Sequence, residues 1–380
     1  MKFSLSLGKE WKELKKIEKL SDEERQIVIY AENKASMNHF RLLIDELTQK
    51  MNLKICYVTS VEDDPIFLKE NDNVEAFYIG DGTVRTKFFL MLKAKILIMD
   101  MPDLETFHIK RSKVFPVHYI YIFHSMFSVH SYLRKGAVDN FDTIFCVGEH
   151  HEKEIRETER VYDLKPKNLV KYGFGRLDKL LAEKKSFVGE QDKKLIIIAP
   201  SYGKDNLLEI CGYELIEILL NSGYKVLLRP HYRIINESKN LIDSIIDRFG
   251  KDKNFIFEKG IIEPKMFHTS SYFISDWSGI SMEYAFVFEK PVIFIDVPKK
   301  ILNVESEKIS CEPIEISIRN NIGKIVSPKE LHKIPELIEN LEINSKTIRD
   351  DIIDIRSKTV FNLNNSSLIG AKFIKEKLDS

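Results

Sequence analysis

The stretch from Asp276 to Ser281 combines the groups that bind a phosphate in many proteins. An apolar run ends at Asp276, and Ser278, Gly279 and Ser281 fall where the next helix is predicted to begin. At such a helix start the backbone N–H groups, the hydroxyl groups and the helix dipole all favour an anion. A plain N-cap uses the same residue types, so both interpretations stay open for the segment taken alone.

Cationic side chains follow another apolar run in the same half of the chain. Arg229, His231 and Arg233 stand within five residues directly after Leu228. Two guanidinium groups and an imidazole at a strand end suit a pyrophosphate, although exposed surface charge is the alternative. The turn that contains Ser201 follows a third apolar run and adds a hydroxyl group. These segments indicate an anionic substrate and catalysis by positioning, charge stabilisation and a base.

One histidine in the first half of the chain is placed to act as a general base. His124 closes an apolar run, so its imidazole is expected at the end of a strand. Its ordinary pKa already lies near neutrality, as a base for an alcohol requires. A structural histidine bonded to a backbone carbonyl is the alternative. His108, His118 and His130 lie nearby but are not expected at a strand end.

A glycine-containing segment ends this half of the chain. Gly173 and Gly175 allow a tight backbone, and Arg176 can pair with a phosphate or a carboxylate. Asp178 can cap the helix that follows. The same residues also fit a structural hinge with an Arg–Asp pair.

Length and composition describe a folded protein with more than one core. The chain has 380 residues, 43% hydrophobic and 31% charged, which predicts two domains of ordinary size. Its 58 basic side chains are balanced by 58 acidic ones, which argues against sequence-independent binding of nucleic acid. The four cysteines lack the spacing of a metal or redox site, so we expect a cytoplasmic protein without metal or cofactor. Neither G-x-G-x-x-G after a first strand nor a Walker lysine loop is found.

The N-terminal segment is amphipathic. No signal peptide is expected, and the apolar runs are shorter than the roughly 20 residues of a spanning helix. Within residues 2–20, Trp11, Leu14 and Ile17 share one helical face while lysines occupy the rest. Such a helix can lie on an anionic membrane, which would place the protein at the inner face of the cell membrane. A helix docked on its own domain or on another subunit fits the pattern equally.

Apolar strands alternate with helices along most of the chain, which predicts an α/β fold with parallel sheets. We predict a GT-B-like architecture of two doubly wound Rossmann-type domains that face an interdomain cleft, because ligands bind beyond the carboxyl ends of such strands. The charged residues 184–194 are predicted to form a linker. The predicted parts are an N-terminal helix, an acceptor-side domain, a donor-side domain and C-terminal helices, at 1–25, 26–190, 191–345 and 346–380.

These polar segments resemble the CDP-glycerol glycerophosphotransferase family, which includes teichoic-acid and capsule enzymes. The resemblance spans about residues 115–300, in the right order. It is carried by Phe123-His124-Ser125, Gly173 to Asp178, Ala199-Pro200-Ser201, Arg229-Pro230-His231, and Ser275 to Ser281 with Lys290-Pro291. It implies a GT-B fold and transfer of glycerol phosphate, or another polyol phosphate, from a CDP donor to a hydroxyl group with release of CMP. The implied acceptors are membrane-linked glycans or growing polymers.

The resemblance also implies roles for individual residues. His124 matches the general base, and Arg229 and His231 match the cluster on the donor phosphates. Two positions depart from the family pattern, because Ser125 replaces a glycine and Gly175 replaces a proline. We therefore predict His124 and His231 as catalytic. The predicted donor-binding residues are Arg176, Asp178, Ser201, Arg229, Asp276, Ser278, Gly279 and Ser281.

Two other functions are compatible with the same residues. A GT-B glycosyltransferase or an epimerase that uses a nucleotide sugar also needs a pyrophosphate site. A non-catalytic subunit that binds glycan or membrane in a capsule assembly complex is the other alternative. The expected partners are a CDP-polyol and a glycan or lipid-linked acceptor, and a homo-oligomer is an arrangement that the sequence allows.

Overall fold

The computed structural model describes residues 3–68, 71–259, 264–299 and 303–380. The chain forms two compact units. Unit 1 consists of Met1–Lys179, Asn303–Cys311 and Thr359–Ser380, and unit 2 of Leu180–Leu302 and Glu312–Lys358.

Each unit is built on a parallel sheet. The strands of unit 1 are β1 Ile27–Ala31, β2 Ile55–Thr59, β3 Val74–Tyr78, β4 Ile96–Met99, β5 His118–Ile122, β6 Thr143–Cys146 and β7 Asn168–Lys171. Their spatial order is β3-β2-β1-β4-β5-β6-β7. The strands of unit 2 are β8 Asp192–Ile198, β9 Lys225–Leu228, β10 Phe255–Phe257, β11 Ser270–Ser275, β12 Val292–Ile295 and β13 Gly323–Val326. Their order is β10-β9-β8-β11-β12-β13.

Helices connect the strands and cover the sheets. They are α1 Phe3–Lys19, α2 Met37–Asp45, α3 Thr83–Leu90, α4 Val129–Tyr132, α5 Glu149–Tyr162, α6 Gly175–Ser186, α7 Leu207–Asn221, α8 Tyr232–Glu237, α9 Lys239–Phe249, α10 Pro264–Thr269, α11 Ile280–Phe288, α12 Ile314–Ser317, α13 Arg319–Ile322, α14 Ile334–Ile343, α15 Ser345–Thr359 and α16 Ser366–Asp379. Short 3₁₀ helices cover Lys34–Ser36, Pro65–Leu68, Ser306–Lys308 and Pro328–Lys333, and a π-helical turn at Glu46–Lys50 extends α2.

The central strands form because their residues are apolar on both faces. Every residue of β1, β2 and β4 is buried, as expected for a parallel sheet covered by helices on each side. Neighbouring strands run parallel, so their carboxyl ends lie at one edge of each sheet. The polar segments that follow β1, β4 and β5 in unit 1, and β8, β9 and β11 in unit 2, are thereby collected at those edges.

The predicted linker at 184–194 is only partly correct. Helix α6 continues to Ser186 and β8 already begins at Asp192, which leaves a short connection between them. The charged residues misled the prediction because the end of α6 and the first residues of β8 are largely exposed.

The N-terminal helix packs on its own unit. Helix α1 lies against α3 and β3, with Leu14 and Ile17 buried. The Lys87 ammonium group lies 5.0 Å from the centre of the Trp11 ring and pairs with Glu18 at 3.3 Å. The apolar face of α1 is therefore docked on its own unit, which is one of the two interpretations of the N-terminal segment. Among the residues that the structure describes, no helix combines the length and apolar character needed to cross a bilayer.

Candidate functional site

The carboxyl edge of the first sheet holds a group of buried polar side chains around His124. His124 follows β5, and its Nδ1 atom lies 3.2 Å from the carbonyl oxygen of Asp100, which follows β4. The Asp100 carboxylate accepts a 3.0 Å hydrogen bond from the hydroxyl of Ser36, which follows β1. Because β1, β4 and β5 are neighbours, the sheet topology alone brings these three residues together.

The contact to Asp100 sets the proton positions on His124. A carbonyl oxygen only accepts, so Nδ1 carries the hydrogen and the neutral ring has its lone pair on Nε2. Burial lowers the pKa of His124 below its usual value, against the opposing effect of the carbonyl contact. Burial also raises the pKa of the Asp100 carboxyl to about 7. His124 is thus neutral near neutral pH and has an acceptor nitrogen, as a general base requires.

A second histidine lies beside His124 and was missed by the sequence reasoning. The His39 ring, in α2, is 6.4 Å from the His124 ring and 5.9 Å from the Phe174 ring, measured between centres. His39 is buried, and within the described part of the chain its Nδ1 atom has no hydrogen-bond partner. Burial, assisted by the nearby charge of Arg176, lowers the pKa of His39 well below its usual value. The predicted Arg176 therefore lies close to this histidine pair.

Helix α5 fixes the segment that follows His124. His151 is fully buried, and its Nε2 lies 2.8 Å from the carbonyl oxygen of Phe127. The Glu154 carboxylate accepts the N–H of Val129 at 2.5 Å and pairs with the Nδ1 of His130 at 3.0 Å. His130, one of the rival histidines, is therefore a buried anchor of this loop.

Asp178 binds backbone rather than facing a ligand. Its carboxylate accepts the N–H groups of Asn364 at 2.7 Å and Ser366 at 3.1 Å, and also the hydroxyl of Ser366. Ser366 opens α16, so Asp178 caps the C-terminal helix instead of the helix in which it lies. In the structure Asp178 thus holds the start of α16, and its donor contact stays a prediction.

Asp276 in unit 2 likewise binds backbone N–H groups. It is buried after β11, and its two oxygens accept the N–H groups of Ser201 at 2.6 Å, Trp277 at 2.7 Å and Leu207 at 3.1 Å. Leu207 opens α7, so this one carboxylate holds a helix start and two strand-end turns together. Burial raises the pKa of Asp276, with the backbone N–H groups opposing the shift. The hydrogen bond between Asp276 and the Ser201 backbone therefore fixes the turn that leads from β11 into α11.

The predicted phosphate hinge opens α11 as expected. Gly279 is the N-cap and Ile280 the first helical residue, and Ser278 and Gly279 are partly exposed. Ser281 is buried, and its hydroxyl donates to the carbonyl oxygen of Ser278 at 2.7 Å. The side chain of Ser281 thus closes the first turn, while the backbone at Ser278 and Gly279 is the exposed part of the hinge.

The cationic segment lies at the same edge of the second sheet. Arg229 follows β9, and its N–H donates to Ile198 at the end of β8. His231 is the N-cap of α8, where its Nδ1 accepts the N–H of Arg233 at 3.2 Å. The Tyr202 ring lies 4.6 Å from the His231 ring and 4.7 Å from the Arg233 guanidinium. An Nδ1 that accepts leaves the proton of His231 on Nε2, so this histidine presents a donor.

Arg319 is a further cation that the sequence reasoning missed. Its guanidinium lies 4.2 Å from the Trp277 ring and donates to the Asp296 carboxylate at 3.1 Å. The Trp277 indole N–H donates to the carbonyl oxygen of Val297 at 3.0 Å. Burial lowers the pKa of Arg319. The stacked pair supports the hinge residue that follows Asp276, and no local sequence signal marks it because Arg319 lies in a different helix.

Solved structures with the same fold include a teichoic acid enzyme and several epimerases. The wall teichoic acid polymerase TagF, in a variant soaked with CDPG, is 14% identical, with 98% of this chain and 94% of that chain covered at a TM-score of 0.60. The UDP-GlcNAc 2-epimerase of Neisseria meningitidis bound to UDP-GlcNAc is 15% identical, with 93% and 99% covered at 0.56. The S. aureus MnaA–UDP co-structure is 12% identical, with 93% and 97% covered at 0.60.

At these identities the likeness concerns the fold, and it confirms the predicted α/β class with two GT-B-like parallel sheets and a helical C-terminus. Among curated proteins no sequence matches this chain. A family model described as CDP-Glycerol:Poly(glycerophosphate) glycerophosphotransferase matches residues 14–300, well over half of the chain. The chain therefore belongs to this glycerophosphotransferase family, enzymes that transfer polyol phosphate from CDP-glycerol to a polymer.

Proposed function

We propose that His124 is the general base of this transfer and that unit 2 holds the donor through Arg229, His231 and the start of α11. The acceptor oxygen forms a bond to the phosphorus that carries the polyol. The bond from that phosphorus to the bridging oxygen breaks, and its electron pair leaves with CMP. The acceptor proton passes to Nε2 of His124.

The contact between His124 and Asp100 carries this proposal. Its Nδ1 donates to a backbone carbonyl at 3.2 Å, which orients the ring and leaves Nε2 as the acceptor. The lowered pKa keeps the base unprotonated at neutral pH. The alternative, a structural histidine bonded to a backbone carbonyl, shares this contact. His151 contacts the protein through both ring nitrogens, at Val147 and Phe127, whereas His124 makes its backbone contact through Nδ1.

On the donor side, positive side chains and backbone dipoles bind the negatively charged phosphates. The guanidinium of Arg229 is suited to paired phosphate oxygens, and the Nε2–H of His231 can donate to the oxygen that leaves with CMP. The exposed backbone at Ser278 and Gly279 opens α11, where the helix dipole favours a phosphate. Asp276 and Ser201 then contribute by holding that backbone in place.

CMP release from CDP-glycerol, with poly(glycerophosphate) as the acceptor, tests the proposal. His124→Ala should lower turnover by about 10²-fold or more while circular dichroism and donor binding stay unchanged. His108→Ala is the matched control, because His108 is an exposed histidine of the same unit, and it should retain full turnover. A His124→Ala enzyme with normal turnover would refute the assignment. Release of UDP from a UDP-sugar with glycoside formation would instead favour the glycosyltransferase alternative.

The lysines of α1 supply a contact to the membrane that carries the acceptor. Lys12, Lys15, Lys16 and Lys19 are exposed although the apolar face of α1 is docked. Lysines near an anionic membrane surface each contribute about 1 kcal/mol, so this face favours weak, salt-sensitive attachment. The docked apolar face means that the attachment proposed here is electrostatic.

A further inference from the structure

Unit 2 contains a pocket at the edge of its sheet opposite the predicted donor residues. The cavity measures about 600 Å³ and is lined by the first residues of β8 and β11, the residues before β12 and the ends of α11 and α14. Arg229 and Asp276 follow the carboxyl ends of β9 and β11. Because a strand of six residues is about 20 Å long, this amino-edge pocket is separate from the donor residues.

The lining of the amino-edge pocket is positively charged. Of its fourteen lining residues five are lysine or arginine and two are glutamate. Both glutamates are already paired, Glu289 with Lys184 and Arg349 at 2.9 Å each, and Glu342 with Lys193 at 2.6 Å. Arg356, which is outside the lining, contacts Glu289 as well, at 3.3 Å.

Among the described residues, two of the cations in the lining, Lys290 and Lys346, form no ion pair with a carboxylate. Lys290 is half-buried, and its ammonium group donates to the carbonyl oxygens of His268 and Ser270. Burial, together with the like charge of Lys184, lowers the pKa of Lys290 to about 8. Lys346 lies in the first turn of α15, which has no acidic residue and is the positive end of the helix dipole. The carbonyl ends of α6, α11 and α14 offset part of the charge, but not the charge placed at the start of α15.

The walls fit a hydroxyl-rich anion better than a nucleobase. Phe288 is already stacked on Phe267, with ring centres 5.9 Å apart and an interplanar angle of 10°. The polar lining includes the hydroxyls of Ser271 and Ser345 and the amide of Gln191. Pockets of about 300–1,000 Å³ hold small ligands or a segment of a longer one.

We propose that the amino-edge pocket binds a phosphodiester segment of a polyol-phosphate chain, away from the point of transfer. The polymer identity rests on the proposed function. The anion site itself rests on the cavity and the cation placement. Binding there would retain the growing chain between transfers.

A binding titration without CDP-glycerol tests the site. The probe is a synthetic glycerol-phosphate oligomer, titrated into the full chain at low salt, where exposed charges act most strongly. The double variant Lys193→Glu/Lys346→Glu reverses two exposed charges of the rim and should weaken oligomer binding about tenfold. Lys251→Glu, an equal charge reversal outside the pocket in the same unit, should leave binding unchanged.

Three outcomes would overturn the proposal. Binding that is unaffected by the double variant, or equally weakened by Lys251→Glu, would place the oligomer elsewhere. Inorganic phosphate or CMP that competes as strongly as the oligomer, per phosphate, would show an unspecific anion site. His124→Ala should bind the oligomer normally, so that a failure of the catalytic proposal remains distinguishable from a failure of the pocket.

Discussion

The carboxyl edges of the two sheets share one topology and differ in their chemistry. At the edge of unit 1 His124 has its hydrogen on Nδ1 and an open acceptor nitrogen. At the edge of unit 2 His231 accepts at Nδ1 and presents its hydrogen on Nε2. The imidazole can thus accept a proton at one edge and donate a hydrogen bond at the other, because different backbone groups contact the same ring nitrogen.

The surroundings of the two histidines also differ, in agreement with an acceptor at His124 and a donor at His231. Unit 1 surrounds His124 with groups whose burial shifts their pKa, among them His39 and Asp100. Unit 2 places Arg229 and Arg233 on either side of His231 in the sequence. A proton acceptor needs a group that is neutral and partly shielded, whereas a pyrophosphate needs permanent charge and N–H donors. A doubly wound sheet supplies the position of each histidine, and the contacts at each strand end decide its role.

The largest effect is expected from Asp276→Ala. Two buried backbone N–H groups and one partly buried group lose their acceptor, which costs about 3 kcal/mol or more of the free energy of unfolding. Thermal unfolding should show this loss, and donor binding should disappear in calorimetry with CDP-glycerol because the hinge is released. Asp178→Ala is the counterpart in unit 1, where it also frees N–H groups. Asp178→Ala should destabilise the protein while CDP-glycerol still binds. Equal affinity for CDP-glycerol in the two variants would contradict the assignment of donor binding to unit 2.

Replacing each of the two histidines by asparagine tests their roles separately and should give the next largest effects. In His124→Asn the side-chain amide can still donate to Asp100, but the base is gone, so kcat should fall about 10²- to 10⁴-fold. In His231→Asn the side-chain oxygen still caps α8, whereas the Nε2–H donor is lost. Because that donor is proposed to face the oxygen that leaves with CMP, where charge builds up in the transition state, kcat should fall about tenfold, as expected for one hydrogen bond to a charged group. Steady-state kinetics of both variants checks this, and a raised KM for CDP-glycerol with an unchanged kcat in His231→Asn would limit His231 to donor binding.

The pH profile should report the lowered pKa of His124. The neutral ring is the active form, so kcat/KM should rise with pH and level off, with a midpoint below the ordinary value of 6.5. Below that midpoint the rate should fall about tenfold per pH unit. Asp100→Asn keeps the backbone carbonyl that holds His124 and removes a carboxyl with a pKa raised to about 7. If the fall in kcat/KM at low pH disappears in Asp100→Asn, the titrating group is Asp100 instead of His124.

Much of the fold was readable because the strands are apolar on both faces. The runs that form β1, β4 and β12 are fully buried, so their periodicity and their burial agree. Strand β7 was missed, because it is an edge strand with two exposed residues and no continuous apolar run. An edge strand depends on hydrogen bonds to β6, which leave no mark in its own sequence.

The site was readable only in part, for a similar reason. His124 and Asp276 follow apolar strands, which marks them as strand-end residues. Their partners are set by topology, since His124 meets Asp100 across 24 positions and Asp276 meets Ser201 across 75. The backbone contacts of Asp178 and Asp276 were not predicted, because a buried carboxylate near a helix start binds backbone N–H groups that lie far away in the sequence.

The smallest effect is expected at the surface of unit 1, at the proposed membrane contact of α1. Lys12→Glu combined with Lys15→Glu reverses two exposed charges of α1 without touching the buried Leu14 or Ile17. Co-sedimentation with vesicles that contain anionic lipid should fall severalfold, and more so at low salt, since each lysine contributes about 1 kcal/mol. Turnover with a soluble acceptor should be unchanged. The same reversals at Lys239 and Lys251 of unit 2 serve as the control, and an equal loss of vesicle binding there would show that net charge, rather than the face of α1, determines attachment.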